Sequence, residues 1–135
     1  MWKEYNPNPD EGKRVGDCSV RALSKVLNTD WETAYALVAM KGFSVHDMPS
    51  SNTAINGVLR QNGFKRASLP DDCPDCYTMG EFLEMNPEGT FVIYMEGHVA
   101  AAEDGVVYDA WDSTKQPIIA VWYKDVEPVF VEEEE

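Results

Sequence analysis

The hydrophobic pattern of this 135-residue chain changes period near Thr90. Upstream, apolar residues recur at three- and four-residue spacing; downstream they fall in short runs rich in β-branched and aromatic side chains. Helices first and strands second predict an α+β domain, not alternating βαβ units. Pro7, Pro9, Gly12 and Gly16 mark the first sixteen residues as an extended, irregular arm. A first helix is expected from Cys18, with Asp17 as N-cap, an apolar stripe of Val20, Leu23, Val26 and Leu27, and Asn28 at its close. Thr29 and Glu32 have the spacing of a capping box for a second helix. That helix would turn Trp31, Ala34, Tyr35, Leu37 and Val38 inward and end at Gly42. A third follows Pro49, Ser50 and Ser51, carries Ile55, Val58 and Leu59, and stops near Gly63. A fourth, short helix starts at Thr78, boxed by Glu81, and buries Phe82 and Leu83. Strands are expected over residues 90–95, 98–102, 106–111, 118–123 and 129–131, as one antiparallel set.

The length suits one domain, residues 1–131, followed by an acidic tail at 132–135. With 44% hydrophobic residues, 4 Trp, 6 Tyr and 5 Phe, a core can form without a metal or a disulfide. No apolar run approaches the ~18 residues of a membrane span, and the first residues lack the apolar stretch of a signal peptide, so a cytoplasmic location is expected. The 24 acidic residues outnumber the 11 basic ones, giving a net charge of −13. Phosphate recognition needs clustered Lys and Arg, so nucleic acid is not expected as a partner. Three cysteines, an odd number without an export signal, predict reduced thiols.

One of these thiols stands where chemistry is favoured. Cys18 falls in the first turn of the first expected helix, where unpaired N–H groups carry partial positive charge and favour thiolate. Asp17 and the acidity of the chain oppose this, so a basic partner is required; without one, Cys18 reads as a small packing residue. The partner is suggested by the hairpin at Asp104-Gly105, a strong two-residue turn signal. With those residues at the turn, Glu103 faces Val106, His98 faces Trp111 and Asp109 faces Ala100. His98 and Asp109 then become diagonal neighbours on one face, roughly 7 Å apart along the backbone. Asp112 falls on the other face, and a one-residue slip would exchange the two acids. A neutral imidazole accepts a thiol proton, and a carboxylate fixes which ring nitrogen carries hydrogen. Trp111, beside the pair, would shield it from water.

These segments resemble a known superfamily. The run from Gly16 through Asp17, Cys18, Ser19, Val20, Arg21 and Ala22 to Leu23 resembles the nucleophile helix of papain-like cysteine peptidases. It is also similar to the Asp, Cys and Arg-Ala pattern of ovarian-tumour-type deubiquitinases. Gly97-His98-Val99-Ala100 is similar to the histidine strand, and Tyr108-Asp109-Ala110-Trp111 to the Asn-Ser-Trp segment, with Asp in place of Asn. The chain order Cys, His, acid agrees. The whole chain, with its Asn-Pro-Asn-Pro arm, looks like small proteins of bacteria and their phages. The resemblance implies a papain-like fold, with the nucleophile helix packed on a C-terminal antiparallel sheet. It further implies a thiol protease or amidase, a hydrolase working on a peptide or protein substrate without a cofactor. Cys18, His98 and Asp109 would be its catalytic triad, with Asp17 and Trp111 in support.

The departure is at the oxyanion site. Papain-like enzymes carry a glutamine upstream of the nucleophile, where this chain has Gly12. Asn6 or Asn8 folding back, or backbone N–H groups at Cys18, would have to serve; losing one such donor costs about 10²–10³ in rate. A catalytically silent module that binds a partner protein is therefore the alternative function. Cys73-Pro74-Asp75-Cys76 is a lone CxxC with only His46 and His98 to complete a zinc site, so it reads as structural, with metal or redox roles as the other readings. No metal is expected, and His46 is expected on an exposed loop.

Overall fold

Four helices and six strands make up the described part of a computed structural model, residues 1–10, 13, 15–67 and 77–130. In chain order they are β1 (Trp2–Glu4), α1 (Cys18–Val26), α2 (Trp31–Val45), α3 (Asn52–Gln61), β2 (Lys65–Ala67), α4 (Met79–Met85), β3 (Thr90–Met95), β4 (His98–Glu103), β5 (Val106–Asp109) and β6 (Ile118–Tyr123). The strands form one sheet in the order β1-β5-β4-β3-β6-β2. The fold is α+β.

Three of the four helix starts are capped by side chains. The Ser51 hydroxyl accepts from the Ala54 N–H at 3.1 Å, and Thr78 and Glu81 form a reciprocal box. The cap of α2 is Asp30, not Thr29: Asp30 has the extended backbone of an N-cap and accepts from the Thr33 N–H at 2.8 Å. Gly42 does not end this helix. It lies on the buried stripe with Ala34 and Val38, where an added Cβ would stand 2.7 Å from the Asp47 carbonyl oxygen, so a glycine lets the following loop fold back closely. The helix continues to Val45 and stops at His46 in the left-handed conformation. Tyr35 lies off the buried stripe and is exposed.

The β4–β5 hairpin has the expected register. Asp104 (φ 51°) and Gly105 (φ 82°) form the turn, and Glu103↔Val106, Ala102↔Val107 and Ala101↔Tyr108 pair across it. Positive φ at both turn positions matches the right-handed twist of the strands, which is why Asp-Gly is favoured there. The ladder ends at Ala101↔Tyr108 and β5 ends at Asp109, two residues short of the expected strand. β3 and β4 join through Glu96 and Gly97 (φ 65°), with Met95 opposite His98.

The sheet departs from a purely C-terminal, antiparallel one. Its four inner strands are antiparallel and come from the last third of the chain, but both edges come from earlier segments. β1, inside the arm expected to be irregular, runs parallel to β5, and β2 runs antiparallel to β6. Residues 129 and 130 are not in a strand; residue 131 and the acidic tail lie outside the described residues.

Alternation along the strands sorts the core into two layers. Val92, Tyr94, Val99, Ala101, Ala120 and Trp122 face α1–α3. Phe91, Ile93, Met95, Ala100, Ala102, Val107 and Val121 face α4. Among the described residues no helix is long and apolar enough to cross a membrane.

Candidate active site

Cys18 is the first residue of α1, His98 the first of β4 and Asp109 the last of β5; because β4 and β5 are antiparallel neighbours, His98 and Asp109 stand at one end of the sheet. The β4–β5 ladder has closed before His98 and Asp109 are reached, which leaves the end of the sheet open toward the N-terminus of α1. There the three side chains meet. His98 Nε2 lies 2.6 Å from Asp109 Oδ2, and the Cys18 thiol lines the same cleft as this imidazole, close enough for the two to shift each other's pKa. With Nε2 committed to the carboxylate, Nδ1 is the ring nitrogen left for sulfur. The diagonal pairing read from the hairpin is thus realised. Asp112 is exposed and accepts instead from Thr114 N (3.0 Å) and Oγ1 (2.6 Å).

Asp109 is held from several directions and is 1% exposed. Ser113 Oγ donates to Oδ2 at 2.8 Å, the Ala110 N–H to Oδ1 at 2.8 Å, and Arg21 Nη2 to Oδ1 at 3.2 Å. Its backbone carbonyl accepts from Tyr5 N (2.9 Å) and Trp2 Nε1 (3.1 Å), both in the N-terminal arm. The Trp111 ring lies 4.8 Å from that of His98, tilted by 39°, and covers it while staying partly exposed itself.

The electrostatics follow from these contacts. Burial opposes ionisation of Cys18, but hydrogen bonds to His98 and the Val99 backbone, with the positive fields of His98 and Arg21, outweigh it and lower the thiol pKa. Burial likewise opposes charge on His98, yet the bonds to Asp109 and Cys18 raise its pKa to about 9. Desolvation of Asp109 is overcome by His98, Ser113 and Ala110, so its carboxyl stays below the usual range. Opposite displacement of sulfur and imidazole moves the pair toward the thiolate–imidazolium form.

A cleft of about 410 Å³ opens over this group, lined among others by Asn6, Lys13, Gly16, Cys18, Gly97 and Trp111. A second, about 420 Å³, adjoins it across Val15, Gly16 and Asp17 and is walled by Val20, Trp31, Tyr35, Val38 and Pro49. Asn6 lines the first cleft. Asn8 does not; its side chain accepts from the Asp10 N–H at 2.9 Å in a local turn, which corrects its assignment as an oxyanion donor. Asp17 also differs from expectation: its side chain makes no cap bond to α1. It holds Arg21 Nη1 and accepts from Trp31 Nε1 at 2.9 Å.

Arg21, one turn after Cys18, reads in the sequence either as a partner for an acid of the active-site wall or as a surface arginine; it is buried and paired with Asp17 and Asp109. Ser113 was not read from the sequence, and no signal pointed to it. His46 is exposed, as expected. Gly12, Cys73 and Cys76 lie outside the described residues, and among the described residues no cluster of His, Cys, Asp and Glu is suited to a metal ion. Comparison of the chain with protein-family models, with curated proteins and with solved structures found no match.

Proposed function

We propose that the protein is a papain-like, cysteine-dependent hydrolase that cleaves a peptide, isopeptide or amide bond through a thioester acyl-enzyme. The observation that carries this reading is the continuous contact from the Cys18 thiol to the His98 imidazole to the Asp109 carboxylate, the last step 2.6 Å long. The nucleophile helix packed on the sheet that carries the base and then the acid also supports it.

In this mechanism the Cys18 thiolate attacks the carbonyl carbon, forming a C–S bond and moving the π electrons to oxygen. The oxyanion is taken by backbone N–H groups of the first α1 turn, with Asn6 at the edge of the same cleft. The C–N bond then breaks as His98 gives its proton to the departing amine. Water attacks the thioester, His98 accepts its proton, the C–S bond breaks, and a carboxylic acid leaves. Asp109 keeps the ring oriented and stabilises its charged form without itself taking the proton. The neighbouring cleft, walled by Trp31, Tyr35, Val20 and Val38, suits an apolar side chain of a peptide or protein substrate.

A peptidyl vinyl-sulfone probe, mapped by mass spectrometry, tests the proposal. Labelling of Cys18 that is lost in His98→Ala is expected. An intact protein whose Cys18 reacts no faster than Cys73 and Cys76 would leave a partner-binding module as the better description.

A further inference from the structure

The residue beside the nucleophile is, by itself, the wrong one for this chemistry. An aspartate at an N-cap ordinarily accepts from first-turn N–H groups. At position 17 that would occupy amides the oxyanion needs and set a negative charge against the sulfur, raising the thiol pKa. The side chain does neither. One oxygen is bound to Arg21 Nη1, the other accepts from Trp31 Nε1 at 2.9 Å, and no cap bond forms. The guanidinium that draws it away also reaches Asp109 Oδ1 at 3.2 Å. Asp17, Arg21 and Asp109 are 7%, 8% and 1% exposed, so this is an interior arrangement, not a surface pair. Arg21 Nε is buried with no acceptor among the described residues. The guanidinium is therefore placed by the two carboxylates rather than by satisfaction of all its own donors.

We propose that Arg21 is a positioning residue which parks Asp17 against Trp31, clear of the first-turn amides of α1, while bracing Asp109 behind His98. This rests on the reading of Cys18 as a thiolate nucleophile. The planar fork of arginine serves two carboxylates at once, which the single ammonium of lysine does less well. Around the sulfur stand Asp17 just before α1, Arg21 from α1, His98 from β4 with Asp109 behind it from β5, Tyr94 from β3 and Lys13 on the cleft wall. Of these, Asp17 is the charge whose position Arg21 controls and whose release would oppose the thiolate.

The test is the pH profile of iodoacetamide alkylation at Cys18, followed by peptide mapping in wild type, Arg21→Met, Asp17→Ala and the double variant. Arg21→Met is expected to move the midpoint up by about one pH unit and slow alkylation below it about tenfold. Asp17→Ala should not raise the midpoint, and the double variant should recover at least half of the Arg21→Met shift. A merely structural arginine would lower the melting temperature and leave the midpoint in place. An unmoved midpoint in Arg21→Met, or a double variant no better than Arg21→Met, overturns the proposal. Should Arg21→Met fail to fold, Arg21→Lys and its pair with Asp17→Ala give the same comparison, with a smaller rise expected and the same overturning results. A wild-type midpoint in the ordinary thiol range would defeat the thiolate reading, whereas the Arg21 proposal is read from the difference between variants.

Discussion

The α4 face of the sheet and the end of the sheet nearest α1 are built on different terms. On the α4 face, Phe82 meets Phe91 edge-on at 5.2 Å and Phe130 at 5.8 Å, and Phe130 meets Tyr77 at 5.6 Å. The buried polar residue on that side, Asn86, is satisfied by backbone alone: it donates to Phe82 O and Val129 O and accepts from Val129 N at 2.7 Å. Around α1 and the end of the sheet it covers, by contrast, an arginine, two aspartates and three serines are buried in the company of a thiol and an imidazole. Apolar packing is adaptable and non-directional, so it can hold strands in place but cannot aim a proton. Buried charges are costly unless paired, and their pairing fixes them in direction as well as position. The apolar layer supplies rigidity and the polar end of the sheet uses it.

This contrast can be broken from either side. The largest effect is expected from Cys18→Ala, which should abolish probe labelling at that site while leaving the thermal melt near wild type. Asp109→Asn should leave the ring free to adopt the wrong tautomer and slow labelling by about 10²–10⁴, the range of general acid–base contributions. Phe82→Ala attacks the apolar layer. A loss of about 3–5 kcal/mol in chemical denaturation is expected, with an unchanged labelling rate per folded molecule; a large rate change there would show that the two regions are not separable.

The pH dependence sharpens the same comparison. A thiol pKa below 9.0 and an imidazole at about 9 predict a bell-shaped turnover rate whose alkaline limb falls near 9, when His98 loses its proton. In stability, His98 is raised from 6.5 to about 9, so its contribution is complete below 6.5 and disappears as pH rises through about 9. Asp109 is lowered from 3.8, so its share is present above 3.8 and disappears as pH falls through its folded value. Melting temperatures measured across this range should therefore decline toward both ends, and His98→Ala should flatten the alkaline side. The smallest effect is expected from Trp111→Ala. An aromatic contact of this kind is worth about 0.5–1.5 kcal/mol, so labelling should slow by no more than about tenfold.

What was legible in the sequence divides along physical lines. Capping signals at Ser51, Thr78 and Glu81 and the Asp-Gly turn act through local backbone geometry, so each located its element and the hairpin register without knowledge of the rest of the chain. From that register came the choice of Asp109 over Asp112. β1 and β2 were not legible, because Trp-Lys-Glu and Lys-Arg-Ala alternate no buried face. They are strands because β5 and β6 offer ladders to pair with, a tertiary cause that short segments do not carry in themselves. The role of Asp17 was misread for a related reason. Its residue type and position favour capping, but Arg21 and Trp31 compete for the same oxygens with charge and with a partly buried indole.

The parallel pairing of β1 with β5 bears on how the site comes into being. Residues 2 and 5 clasp the main chain at Asp109, more than a hundred positions away, so a segment completes a support for one synthesised well after it. Contacts this remote in sequence form late in folding because their loop must be closed first. A nascent chain would carry its sulfur through the synthesis of all the intervening residues before the imidazole, the acid and the clasp assemble around it. On the proposed reading, reactivity would then be a property of the assembled fold and not of the helix that bears the thiol.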